Sequence, residues 1–179
     1  MRRPILSLFT LVLVAVLGQP TAAQVPPAPQ PAQAGGGRGG GLPAMIDVAT
    51  AKRIVAAAEA AATAADARVA IAVVDANGDL VFFQRMDGAA GRAVTSAQGK
   101  ARAAIVFGMA TKEVSDAAAA GKPVSITVTP AGAGAGEVTV QQGGIPIMKA
   151  GKVVGGVGVG GSAPASDEKF AQAGVEAVK

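Results

Sequence analysis

The sequence predicts an α+β fold in which a central antiparallel sheet is flanked by helices. Two observations predict the sheet. The β-rich runs Val69 to Asp75 and Leu80 to Asp87 flank Ala76-Asn77-Gly78-Asp79, and Ile145 to Lys149 and Lys152 to Gly160 flank Ala150-Gly151. Each pair reads as a hairpin, and adjacent hairpins make an antiparallel sheet. A third observation predicts its cover: helical periodicity precedes, separates and follows the hairpins. The order α-β-β-α-α-β-β-(β)-α is that of an α+β domain, not of the alternating units of a doubly wound sheet.

The first helix rests on Val48, Ala51, Val55, Ala58, Ala62 and Ala65, which recur at three- and four-residue steps, with Lys52, Glu59 and Asp66 on a separate polar stripe. Asp47 is its expected N-cap. In the first hairpin Asn77-Gly78 suits a type I′ turn, whose central residues both need positive φ. That loop sets Val73 opposite Phe82, Ala72 opposite Phe83 and Ala70 opposite Arg85. A second helix is expected over 92–110 and a third over 112–120, ended by Gly121 and Pro123. The stretch 124–137 is rich in Thr, Ala and Gly. Ser166 or Asp167 is the expected cap of a last helix, with Glu168 in its first turn where the helix dipole favours an acid.

Composition removes much chemistry. The 179 residues include no His, Cys, Trp or Tyr and five Phe. This excludes a disulfide framework, a Cys/His zinc site, a Ser-His-Asp triad and a thiol nucleophile. The chain opens Met1-Arg2-Arg3-Pro4 and runs apolar from Ile5 to Leu17, with Thr21-Ala22-Ala23 before Gln24. Cationic start, short apolar run and small residues predict a signal peptide over 1–23 and an exported protein, periplasmic or secreted. The apolar run is shorter than the ~20 residues a membrane span requires, so no stable membrane insertion is expected after cleavage. The formal net charge of +4 includes Arg2 and Arg3, so without them it is +2. No basic run with interleaved aromatics is present, and nucleic acid is not an expected partner. Residues 24–41 alternate Pro-rich and Gly-rich sequence and read as a disordered linker, leaving 42–179 as the folded domain.

Three groups of residues are candidates for binding. Val157 and Val159 alternate with Gly156, Gly158 and Gly160, so one face of this strand carries no side chains. A helix, another subunit or a flat ligand could approach it closely. No helix start directly follows the run, which sets it apart from a phosphate loop. Lys100, Ala104, Phe107 and Thr111 share one helix face, since seven and eleven residues are near-whole numbers of turns, making a wall for an anionic, partly flat ligand. On the other reading Lys100 reaches to water and Thr111 caps the next helix. Arg85 could bind a carboxylate, or pair with Asp75 or Asp87. Without His, acid-base work near neutrality would need a strongly shifted Asp, Glu or Lys, and no spacing points to one.

Taken together, VAIAVVDANGDLVFFQRMDGA, Ser96-Ala97-Gln98-Gly99-Lys100-Ala101, Gly143-Gly144-Ile145-Pro146-Ile147, KVVGGVGVGG and Ser166-Asp167-Glu168 resemble the GlcG/HbpS family of haem-degrading or haem-binding domains. Related domains occur beside glycolate-utilisation genes and attached to corrinoid adenosyltransferases. The resemblance runs from about Ile46 to the end. It implies an α-β-α sandwich, assembly into homo-oligomers and, in exported members, haem or iron-related binding. The positions it carries over are Arg85, Lys100, Phe107 and Thr111, with Gly156 and Gly158 as the closely approached surface. The chain departs from that pattern in one respect. Haem iron is usually held by His, Cys, Met or Tyr, and only Met remains, at Met45, Met86, Met109 or Met148, beside an oxygen ligand such as Thr111.

The expectation is therefore an exported, non-catalytic binder of haem or a related flat anionic small-molecule ligand. The alternatives are a structural assembly domain without haem, and an enzyme accessory acting on a small carboxylic acid through Lys100 or Arg85.

Overall fold

Asp47, in extended conformation, accepts a hydrogen bond from the Thr50 N–H at 2.6 Å and so starts α1 (Val48–Ala64) as its N-cap. That same N–H holds the Asp47 carboxyl below its ordinary value. The computed structural model describes residues 45–124 and 137–179. The expected leader over 1–23, the linker over 24–41 and most of the Thr/Ala/Gly stretch lie outside them.

The buried face of α1 is Ala51, Ile54, Val55, Ala58 and Ala62. Val48 is half exposed, and Ala65 is the C-cap rather than a core position. β1 (Ala70–Asp75) and β2 (Leu80–Arg85) pair as expected at Ala70–Arg85, Ala72–Phe83 and Val73–Phe82. The turn between them differs from the type I′ expectation. Asn77 does not take positive φ, Gly78 alone does, and Gly78 N–H bonds back to Asp75 O. The Asp75 carboxylate accepts from the Asn77 and Asp79 N–H groups, which favours a turn centred on Ala76 and Asn77 with Gly78 as the left-handed residue. That loop is one residue longer, and the irregularity between Val73 and Val74 restores the expected register. Positive φ at both central positions is found in the other hairpin, at Ala150 and Gly151.

α2 spans Gly91–Phe107 and stops at Gly108, which is left-handed at φ 65°. α3 is Thr111–Ala119, followed by left-handed Gly121. β3 (Gly144–Lys149) and β4 (Lys152–Gly160) form the second hairpin, and α4 is Pro164–Glu176. Its N-cap is Ala163, not Ser166 or Asp167, because Pro164 supplies the preset φ of the first helical position.

Among the described residues the sheet has four antiparallel strands in the order β2-β1-β4-β3. The chain is thus an α+β, α-β-α sandwich. On one face Ile71, Val73, Val157 and Val159 pack with Ile54, Val55 and Phe170 from α1 and α4. On the other, Ala70, Ala72 and Val74 meet Ala93, Ala97, Ala101 and Ile105 of α2. β2 and β3 are the edges, and β3 carries Pro146, whose missing N–H is tolerated at an edge.

The Gly/Val alternation of β4 now has a physical cause. A Cβ on Gly158 would lie 2.1 Å from Ala97 O and 2.4 Å from Ala101 N, and one on Gly156 would lie 2.5 Å from Ala101 O. The α2 backbone rests directly on the strand. Of the three occupants that the bare strand face admits, a helix of the same chain fills it, so Gly156 and Gly158 lie under α2 and offer no wall to a ligand.

Candidate functional site

The Lys100 side chain is 2% exposed, and it is the largest side chain buried to that degree among the described residues. It lies on α2 and crosses to α4, where its Nζ is 2.8 Å from Asp167 Oδ2, and it also donates to Val159 O at 2.9 Å. Asp167 Oδ1 accepts from the Ser162 N–H at 3.0 Å, just before α4 begins. Burial pushes the Asp167 carboxyl above its ordinary value, outweighing the hydrogen bond and charge of Lys100. Gly143 packs against the pair, since a Cβ there would be 2.8 Å from Asp167 Cβ and 3.0 Å from Lys100 Nζ. Lys100 thus joins α2, β4 and α4, and does not snorkel to water. Asp167 is the partner that sequence reasoning missed: 67 residues separate the two, so no local spacing links them.

Beside the pair opens a polar recess of about 360 Å³, lined by Arg92, Ser96, Lys100, Thr139, Gln141 and Asp167 among others. Thr111 lies apart from Lys100's helix face, because left-handed Gly108 ends α2 before it. Thr111 is the first residue of α3 rather than its N-cap, which is Ala110. Its buried hydroxyl accepts from the Gly144 N–H at 2.9 Å and pins the start of β3. Phe107 is half-buried at the last position of α2. Arg85 is exposed at the end of β2, and its Nε donates to Ala89 O at 2.9 Å, closing the loop into α2 instead of pairing with Asp75 or Asp87. Lys100 and Thr111 still meet at Gly144, where an added Cβ would lie 2.3 Å from Lys100 O and 2.7 Å from Thr111 Cγ2, while Arg85 is turned to Ala89 O.

A different site gathers two of the candidate iron ligands. The start of α1, edge strand β3 and the C-terminal end of α4 frame a groove of about 410 Å³. Ile145, Ile147, Val154 and Val175 make its floor, and these belong to the core on that side. Met45 and Met148 line it with 38% and 52% exposure, so neither side chain is enclosed by the core. Arg53, Lys149 and Lys179 supply cations at the same groove, with Asp47 as the one acid. Met86 instead packs on the core, and the Thr111 hydroxyl is already engaged. No signal in the sequence marks the groove, since its walls come from three separated segments.

The family model described as haem degrading protein, HbpS-like, matches residues 46–176. The chain belongs to the HbpS-like family. A 15.0 kDa protein of Citrobacter freundii from the dhaT-dhaS intergenic region is 31% identical over 134 residues, which is 74% of this chain and 92% of that protein. The crystal structure of a double mutant of Streptomyces reticuli HbpS superposes with a TM-score of 0.68 at 29% identity, covering 86% of this chain and 99% of that one. A PduOC:haem complex superposes with a TM-score of 0.65 at 25% identity, covering 75% and 96%. Haem-related binding is thus a property found at the level of the family. No helix among the described residues is long and apolar enough to cross a membrane.

Proposed function

We propose that this protein is an exported binder of haem, or of a closely related flat anionic tetrapyrrole, that seats its ligand in the groove beside β3 without catalysis of its own. One observation carries the reading: the groove combines an apolar floor, two Met side chains and three cations. A macrocycle gains from burying apolar area, propionates pair with Arg or Lys, and Met is an established haem ligand type. Met45 and Met148 are the candidate axial ligands, and Arg53, Lys149 and Lys179 the candidate propionate partners. Arg85, Lys100, Phe107, Thr111, Gly156 and Gly158 are not where this reading seats the macrocycle. Of these, Lys100, Thr111, Gly156 and Gly158 support it by fixing α2, β3 and β4. Binding without degradation is favoured because the chain offers no proximal His, Cys or Tyr. Export rests on the charge and apolar pattern of the first 23 residues.

Titration of haemin into the protein, followed by the Soret band, tests this. Saturable binding that weakens about tenfold or more in Met148→Leu or Met45→Leu supports the reading. Saturable binding indifferent to both substitutions and to Arg53→Gln removes the groove as the seat.

An assembly reading draws on the same place, because β3 is an open sheet edge with Met148 exposed beside it. It expects a homo-oligomer by light scattering with no haem absorbance. A monomer, or an oligomer that takes up haemin at this groove, speaks against it.

A further inference from the structure

The polar recess at Lys100 has a different chemistry from the groove. An ammonium has three N–H donors, and among the described residues the Lys100 ammonium spends two, on Val159 O and Asp167 Oδ2. The residues around its charged end, Asp167 and Ser162, line the recess together with it. A donor left over on a cation that is 2% exposed is costly unless something accepts from it. Arg92 lines the same recess from the first turn of α2, and among the described residues its guanidinium has no hydrogen-bond or ion-pair partner. The remaining wall is polar: Ser96, Thr139 and Gln141 offer hydroxyl and amide groups, and Glu137 adds an acid.

We propose that this recess binds a small hydroxylated monocarboxylate, its carboxylate taking the third Lys100 donor and the Arg92 guanidinium, and its hydroxyls meeting Ser96, Thr139 and Gln141. The charges favour a monoanion. Lys100 and Asp167 balance each other, and Arg92 and Glu137 both line the recess, so its charges sum to zero before a ligand enters. A dianion such as phosphate would meet the Glu137 and Asp167 carboxylates with no further cation to offset it. An alkyl acid would leave the hydroxyl and amide groups without partners. Haem does not suit these walls, which makes the recess a second site, independent of the groove beside β3.

Calorimetric titration of the full protein with glycerate, propionate and inorganic phosphate tests the proposal. Glycerate is expected to bind saturably, and propionate about tenfold more weakly or not at all, since it lacks the hydroxyls. Arg92→Gln is the working variant, because Arg92 is exposed and its replacement should leave the fold intact, which far-UV circular dichroism checks. It should weaken glycerate about tenfold or more, the worth of one charge-assisted contact, while haemin affinity stays unchanged. Ser96→Ala should weaken glycerate by a smaller factor. No saturable heat up to about 10 mM glycerate, far weaker than an ion pair with several hydrogen bonds should be, would overturn the proposal. So would phosphate binding more tightly than glycerate, or Arg92→Gln titrating like the wild type. Loss of haemin and glycerate together in Arg92→Gln would overturn the separation of the two sites.

Discussion

Replacing Asp167 with Ala should cost this domain about 3–5 kcal/mol, and replacing it with Asn less, about 2–3 kcal/mol. At 2.8 Å and an effective dielectric constant of about 20, the attraction between Lys100 and Asp167 is about 6 kcal/mol. Taking two ions out of water costs several kcal/mol each, so the intact pair contributes little net stability. The upward displacement of the Asp167 carboxyl by burial says the same: desolvation of the carboxylate exceeds what Lys100 and Ser162 return. What Asp167 supplies is an acceptor on each side, for the Lys100 ammonium and for the Ser162 N–H. Ala removes both and strands a buried cation, which is the costly case. Asn keeps one of the two acceptors, but it also leaves the Lys100 charge unpaired and turns an NH2 donor toward the other donor, so it recovers only part of the loss. A loss of 3–5 kcal/mol is a large part of the ~5–15 kcal/mol by which a domain is stable. Urea unfolding followed by far-UV circular dichroism is the assay, because a chain without Trp or Tyr lacks the usual fluorescence probe. If both variants cost under about 1 kcal/mol, the buried Lys100 ammonium would not depend on Asp167, and the reasoning would be refuted.

The same carboxyl sets a pH dependence. Its folded pKa lies above its ordinary 3.8, so between those values the folded state binds more protons than the unfolded one. Asp167's contribution to stability is therefore greatest below 3.8 and declines as pH rises through the folded pKa. Wild type should lose ground to Asp167→Asn over that window in urea melts at several pH values, and the opposite trend would contradict the assignment. Gly158→Ala should cost about 3 kcal/mol or more, because the added methyl meets backbone atoms of α2 that cannot rotate away; Gly91→Ala, with nothing within 4 Å, should be neutral or stabilising by about 0.5 kcal/mol. Thr111→Val keeps the shape but leaves the buried Gly144 N–H without its acceptor, an expected loss of about 1–3 kcal/mol in the same unfolding assay.

These residues also show what a sequence can and cannot disclose. The apolar spacing from Ala51 to Ala62 and the pairing of Val73 with Phe82 follow from local periodicity, and both hairpins could be read from it. The Gly/Val alternation of β4 announced a bare face without saying what covers it; that α2 does so depends on Ala97 and Ala101, about 60 residues earlier. The side chain of Asp75 redirected the first turn, an effect that the Asn-Gly signature alone does not contain. The Lys100–Asp167 pair spans 67 residues, and no spacing rule reaches so far. The placement of Thr111 on Lys100's helix face failed for a local reason, since Gly108 takes the left-handed conformation that ends a helix. The groove with Met45 and Met148 required three elements to meet. The resemblance to the GlcG/HbpS family correctly indicated the family and the sandwich.

The groove beside β3 is the centre of the functional reading, and parallel titrations with haemin and metal-free protoporphyrin test it most directly. Apolar burial and the cations of Arg53, Lys149 and Lys179 should let both macrocycles bind saturably, with haemin tighter because a thioether adds an iron bond. That difference should vanish in the Met45→Leu/Met148→Leu double variant while protoporphyrin affinity is retained. Failure of both macrocycles to bind, or an undiminished preference for haemin in the double variant, would contradict it.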